Sequence, residues 1–291
     1  TAISLAVCEW RKLFHLPALW VFLGLCLAFN ALLLAGPSPY DRIFFNETSA
    51  DATTLGQRVD NDFRVRLAAL PDTENREILR QSVTNMENIF ETYDTEELAT
   101  FYQEVTAGDS IAQDILTWKY ELLQDRVDHL AQTDAALDLY AGPITQDSHQ
   151  YLYNNLLRAI VTEGILLGVL CTLYLMGYEK LTGTQDMICT SRVGRQLWRR
   201  KVRISIVASL GLYALLILAT LGPYLFLWNY NGIWESSVSS QFNYYADLFF
   251  VRPFLTWIDL TVRQYFIAMI VAGGVLVIVF SLLTTAVSLR L

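Results

Sequence analysis

The sequence predicts an all-α, polytopic membrane protein that also carries a helical domain outside the membrane. Of its 291 residues, 53% are hydrophobic and 17% are charged, whereas a soluble protein carries about a quarter charged residues. Four apolar runs of about 20 residues or more account for this bias, and each is long enough to cross a bilayer as a helix. The runs are 13–36, 156–178, 204–228 and 264–289.

Charge divides the chain into parts of opposite character. The loop 178–203 holds seven basic residues against two acidic ones, and Arg11 and Lys12 precede the first run. Short loops rich in Lys and Arg lie in the cytoplasm, which predicts a cytoplasmic N-terminus and an extracytoplasmic location for 37–154. That stretch has 22 acidic and 8 basic residues, a net charge of −14.

We therefore expect three parts along the chain. Residues 1–36 form an interfacial helix and the first span, although the basic N-terminal residues could also be the ordinary flank of a membrane anchor. Residues 37–154 form the acidic extracytoplasmic domain. Residues 155–291 form three spans, joined by a cytoplasmic loop 179–203 and an aromatic outer loop 229–263.

Apolar residues at three- and four-residue steps predict that the extracytoplasmic domain is helical and contains no sheet. The outer loop is rich in aromatic side chains, so we expect it to lie along the outer membrane surface, with a short interfacial helix near 244–252. The helices predicted in the domain are 57–70, 74–93, 96–106 and 111–133.

Two polar residues in the spans are candidates for a translocation path. Glu163 lies in the second span, where an ionisable group is costly; it could face a path, pair with Arg158, or lie in the headgroup region. Asn30 in the first span could instead donate a hydrogen bond between helices. Gly164 and Gly168 form a GxxxG pattern that favours close helix packing.

Motifs for soluble catalysis are absent from the sequence. It contains no GxxxxGK[ST], G-x-S-x-G or H-E-x-x-H pattern, so any ATP hydrolysis must come from another chain. No Cys and His spacing is typical of a metal site. We expect a protein that is no enzyme, holds no cofactor and binds no nucleic acid.

The loop after the second span has a specific order of residues. An acid ends the span, a Gly-Thr pair follows, and a short apolar piece, a Ser-Arg pair and a lysine at the third span come next. This order resembles the permease subunits of the type-2 ABC transporter family, and Glu9 and Lys12 resemble the interfacial helix that precedes the first span in that family. The loop residues are Glu179, Gly183, Thr184, Met187, Ile188, Ser191, Arg192 and Lys201.

The resemblance implies a permease in the bacterial cell membrane, working with a second identical or different protomer and with cytoplasmic ABC ATPase subunits that bind ATP and Mg²⁺. Because six spans are usual in the family, we expect the chain to continue past Leu291. The residues that would couple to the ATPase are Glu179, Gly183, Thr184, Met187, Ile188, Ser191 and Arg192.

Two other functions are compatible with the sequence. The helical extracytoplasmic domain could bind a ligand and relay it through the spans, as in a membrane sensor. A membrane-embedded enzyme is disfavoured by the missing polar constellations. By the resemblance, the basic residues of the loop 178–203 would bind anionic lipid headgroups or acids on the ATPase. They could also serve only to orient the chain.

Overall fold

A computed structural model of the chain describes residues 2–96, 99–100, 110–184, 187, 194–244 and 255–288. The predicted all-α fold is confirmed, since these residues form helices and no strand, with only two isolated bridges. The chain divides into two compact units. The first unit comprises Thr1–Ser38, His149–Leu227 and Ile267–Leu291, and the second comprises Pro39–Ser148 and Trp228–Phe266.

The α-helices have the following bounds in chain order. They are α1 (Ala2–Phe14), α2 (Pro17–Ala35), α3 (Pro39–Leu55), α4 (Asn61–Ala68), α5 (Glu74–Thr84), α6 (Ser110–Gln132), α7 (Thr145–Gln150), α8 (Arg158–Leu181), α9 (Gly194–Leu227) and α10 (Val262–Ser288).

Among the described residues, four helical stretches are long and apolar enough to cross a membrane, which indicates a membrane-embedded protein. They are Pro17–Ala35, Gly142–Leu181, Leu197–Leu227 and Val262–Ser288. The second is longer than the predicted run, because the π-helical turn Tyr151–Leu157 joins α7 to α8 without a break.

The first apolar run is not one helix. Leu16 is extended (φ −82°, ψ 103°) and Pro17 begins α2. Proline disfavours a helical conformation in the residue before it and fits the first turn of a helix itself. The basic N-terminal segment therefore forms the separate helix α1, as the sequence analysis predicted.

Small residues let α8 approach its neighbours closely. A Cβ atom at Gly164 would lie 2.8 Å from a ring carbon of Tyr213, and one at Gly168 would lie 3.0 Å from the Ser209 hydroxyl. The Tyr213 hydroxyl in turn donates to the Ile270 carbonyl at 2.9 Å, which joins α9 to α10. The close packing predicted from the GxxxG pattern is confirmed.

The second unit has a helical core that differs from the predicted helices. α3, which was not predicted, buries Phe44 and Phe45. α4 begins only after Asp60, whose side chain accepts a hydrogen bond from the Phe63 amide at 2.7 Å. Residues 57–59 are not helical because their backbone bonds to another segment, with the Val59 amide donating to the Leu137 carbonyl at 2.8 Å.

The predicted helix 74–93 is also shorter than expected and ends at Thr84. The reason is Asn88, whose side chain accepts from the Phe90 amide and donates to the Ala131 carbonyl at 3.0 Å. An asparagine that bonds to backbone groups competes with a continuous helix. Most of the predicted helix 96–106 lies outside the described residues.

The first half of the aromatic loop folds into the core of the second unit, and its predicted position along the membrane surface stays a prediction. Trp228, Tyr230 and Phe242 are buried within the second unit, and Tyr230 packs on Phe45 with ring centroids 4.8 Å apart. Gly232 lies so close to the Ser49 carbonyl that a side chain would not fit. The proposed interfacial helix near 244–252 falls almost entirely outside the described residues.

Candidate functional site

Four charged side chains from three helices meet in a buried group, here called the ion cluster. Glu9 and Lys12 come from α1, Glu179 from the last turn of α8, and Lys201 from the N-terminal part of α9. Glu9, Glu179 and Lys201 are 3, 6 and 1% exposed. Burying charge is costly unless the charges are paired and hydrogen-bonded, so the contacts within the ion cluster decide whether it is stable.

Lys201 binds α9 to the end of α8 through two hydrogen bonds. Its Nζ donates to the Leu175 carbonyl at 2.5 Å and also to Oε2 of Glu179. Leu175 and Glu179 are four residues apart and lie on one face of α8. A single ammonium group therefore spans the last two turns of that helix.

Lys12 binds α1 to the same carboxylate. Its Nζ lies 2.5 Å from Oε1 of Glu9 and 2.9 Å from Oε1 of Glu179, and 4.4 Å from the ring centroid of Tyr178. Burial lowers the pKa of Lys12, but the hydrogen bonds that it donates to Glu9 and Glu179 outweigh this and raise the pKa above its ordinary value. Lys12 therefore stays charged at physiological pH.

Glu179 is the centre of the ion cluster, because each of its oxygens binds a different lysine. The two acids and two lysines balance in formal charge, so no net charge is buried. Glu9 still has one oxygen, Oε2, that is buried and without a hydrogen-bond partner among the described residues.

The ion cluster closes the base of the loop 179–203. Glu179 stands at the start of this loop and Lys201 near its end, and their ion pair holds the two ends together. Glu9 and Lys12 are three residues apart on one face of α1, and Lys12 joins that helix to Glu179 and, through this carboxylate, to Lys201.

α8 ends in a glycine turn next to the ion cluster. Gly183 has a φ of +68°, a conformation that favours glycine, and the Thr184 amide donates to the Glu179 carbonyl at 2.9 Å. This is the usual way to satisfy the last carbonyls of a helix, and it turns the chain sharply at Gly183. Met187 is 72% exposed. Ile188, Ser191 and Arg192 lie outside the described residues.

Glu163 and Asn30, the candidates for a translocation path, are brought together by the structure. The Asn30 side-chain amide donates to Oε2 of Glu163 at 2.8 Å, and both residues are buried. Asn30 thus makes the hydrogen bond between helices that was one of its predicted roles, and its Oδ1 has no partner among the described residues. A role of the pair in a path stays a prediction.

The sequence analysis missed a set of buried hydroxyl groups between the spans. Thr172 of α8 hydrogen-bonds to Ser205 of α9, and Ser281 of α10 donates to Ser209 at 3.1 Å. The sequence contains a signal for these contacts, since Ser205 and Ser209 are four residues apart, as are Gly164 and Gly168 on the facing helix. Such hydroxyls add hydrogen bonds between membrane helices.

The described residues contain no group of three or more His, Cys, Asp or Glu side chains that could hold a metal ion. Comparison with known proteins finds no matching family model, no similar curated protein and no similar solved structure. The geometry of the ion cluster is therefore the main structural guide to function.

The substitution Lys201→Met tests the energetics of the ion cluster. It leaves buried Glu179 with only one lysine, so we expect the free energy of unfolding to fall by about 3–5 kcal/mol. The double variant K201M/E179Q removes both charges and should recover most of this loss. The measurement is thermal unfolding of the purified protein in detergent, with Lys180→Met, at an exposed neighbour, as the control. Wild-type stability in K201M would contradict the assigned pairing.

Proposed function

We propose that the chain is the transmembrane permease subunit of a bacterial ABC exporter, which couples ATP hydrolysis by a separate ATPase chain to the export of a substrate. One observation carries this proposal: the ion cluster joins both ends of the loop 179–203 to each other and to α1. Its four members, Glu9, Lys12, Glu179 and Lys201, are all residues on which the resemblance to this permease family rests.

The ion cluster is suited to transmit a movement of the loop 179–203 to the helices. A displacement of the loop moves the ends of α8 and α9 together, because the Glu179–Lys201 pair joins them. Lys12 transfers the same displacement to α1. Helices are rigid elements, so a movement at the loop reaches the spans instead of being absorbed locally.

Met187 provides an apolar contact for the ATPase. An exposed methionine on a short connection can fill a cleft on a partner and adapt to its shape. By the resemblance, Gly183, Thr184, Ile188, Ser191 and Arg192 would complete this contact. ATP and Mg²⁺ would bind to the partner chain, and a second permease protomer would complete the transporter.

The Asn30–Glu163 pair is the part of this proposal that concerns the path. Glu163 lies 16 residues before Glu179, which is about 24 Å along a helix axis. The two polar groups are thus separated by most of the thickness of a bilayer core, about 30 Å. A polar pair at that distance from the coupling loop could contact a substrate during passage.

The orientation in the membrane can be tested at Cys8. We propose a cytoplasmic N-terminus, in which case Cys8, the exposed cysteine of α1, faces the cytoplasm. A membrane-impermeant thiol reagent should label Cys8 in a Cys189→Ser variant only after the cells are opened; Cys26 and Cys171 are buried. Labelling of Cys8 in intact cells would reverse the proposed orientation.

The substitution Met187→Asp tests the coupling role. We expect the variant to reach the membrane with wild-type stability but to lose ATPase stimulation by on the order of tenfold, which corresponds to about 1.4 kcal/mol of activation free energy. The measurement is ATP hydrolysis by the candidate ATPase, co-expressed and co-purified with the chain. Met187→Leu, which keeps an apolar side chain of similar size, is the matched control and should retain the stimulation.

Undiminished coupling in M187D would contradict the role of Met187. Failure of any ATPase chain to co-purify with the wild-type protein would contradict the exporter as a whole. That result would favour the alternative of a membrane sensor with a ligand-binding extracytoplasmic domain.

A further inference from the structure

Helix α6 in the second unit carries a row of exposed apolar side chains, here called the apolar stripe. The spacing of four, three and four residues places its members on one face of the helix. They are Ile111, Ile115, Trp118 and Leu122, which are 70, 57, 63 and 39% exposed.

The apolar stripe is not needed to hold α6 in place. A different face of the helix buries Tyr120, Val127 and Leu130, and the last two pack in a cluster with Phe90 and Phe242. The core of the unit thus already anchors the helix. Large apolar side chains that remain exposed in a row mark an interaction surface.

A second segment extends the apolar stripe. Trp257 and Ile258 are 58 and 64% exposed, and the residues on both sides of them are bound to the next turns of α6. Arg126 donates to the Thr256 carbonyl and to Asp259, both at 2.7 Å. These contacts attach a segment with two more exposed apolar side chains, one of them a second tryptophan, to the turn of α6 that follows the stripe.

The segment that carries Trp257 is attached to α6 by a second contact, which is also made to Asp259. His129 lies 2.8 Å from its carboxylate. The hydrogen bond with His129, followed by that from Arg126, lowers the pKa of Asp259 despite its partial burial. The carboxylate therefore remains charged at neutral pH, and the position of Trp257 is fixed relative to α6.

Acidic side chains border the apolar stripe on one side. At the angular spacing of an α-helix they follow each other along the flank of the exposed face. They are the exposed residues Asp114, Glu121, Asp125 and Asp128. They belong to the stretch 37–154, whose net charge is −14, so the surface combines apolar and negative character.

We propose that the apolar stripe and its acidic border bind a cationic amphipathic peptide. Such a peptide places an apolar helical face against the stripe, while its Lys and Arg side chains meet the acidic border; this is a common mode of helix recognition. A membrane surface fits less well, because helices that lie on anionic lipid carry Lys and Arg on their polar face. A second copy of the chain would bring two acidic borders together.

This proposal rests on the proposed function, because it names the class of substrate or signal for the exporter. The binding itself needs neither the loop 179–203 nor an ATPase. A binding test and the Met187 test can therefore fail independently, which distinguishes an error in the ligand from an error in the function.

The experiment uses the full chain in nanodiscs of neutral lipid and a fluorescent synthetic peptide of Lys and Leu, about 18 residues or five helical turns long. Titration by fluorescence anisotropy should show saturable binding. A scrambled peptide of the same composition and a peptide with Glu in place of Lys should bind at least tenfold more weakly. Raising the salt concentration should weaken binding, since the acidic border is exposed.

Trp118→Glu separates the apolar contribution from the electrostatic one. It adds a negative charge, which favours a cationic peptide, but removes the largest apolar side chain of the stripe. We expect the Kd to rise at least tenfold. Val65→Glu is the matched control, because Val65 is 69% exposed on α4 of the same unit, and it should leave the Kd unchanged. Ile115→Ser gives a second, uncharged test, with circular dichroism verifying the fold of each variant.

Three results would overturn the proposal. The first is equal binding of the peptide to empty nanodiscs, and the second is an equal Kd for the wild type, W118E and I115S. The third uses a variant without Cys8 and Cys189 that carries a fluorophore at Ile115→Cys. The contradicting result is quenching of this fluorophore by brominated lipid in the absence of peptide. That quenching would show that the bilayer covers the apolar stripe.

Discussion

The carboxylate of Glu179 accepts hydrogen bonds from two lysines on two other helices, and the arrangement of the first unit depends on this contact. Without it, α1 would lose its ion pair with α8, and the two ends of the loop 179–203 would lose the ion pair that joins them. The contact is stable only because Lys12 and Lys201 balance Glu179 and Glu9. Its members are interdependent, so the loss of one charge affects all three helices.

The two units bear energetic costs of different kinds. In the first unit, the cost is the burial of charged side chains at the ion cluster and of polar side chains at the Asn30–Glu163 pair. In the second unit, it is the exposure of apolar area on the apolar stripe. Neither feature is required to form helices or to fill a core. Apolar side chains in place of the buried charges, and polar side chains in place of the exposed apolar ones, would give a more stable protein. Both features are therefore the places where the proposed coupling and the proposed peptide binding are best sought.

Hydropathy and charge predicted the all-α fold and the four apolar helices, because each depends on properties local to the chain. The bounds in the second unit could not be predicted this way. Helix 74–93 ends early because Asn88 bonds to Ala131, a residue 43 positions away. The candidate site also has one part that is local and one that is not. The turn at Gly183 follows from a local rule for helix ends. The contact between Lys12 and Glu179 joins residues 167 positions apart. Only the folded chain shows that Glu9, Lys12, Glu179 and Lys201 meet.

A double-mutant cycle on Lys12→Met and Glu179→Gln tests most directly whether the ion cluster joins α1 to the loop 179–203. Unfolding free energies of the wild type, both single variants and the double variant give the interaction energy of the two side chains. Our account predicts an interaction of about 0.5–3 kcal/mol, the range for residues in one ion-pair network. Additive effects, within about 0.3–0.5 kcal/mol, would contradict it, because they would mean that Lys12 and Glu179 stabilise the protein independently.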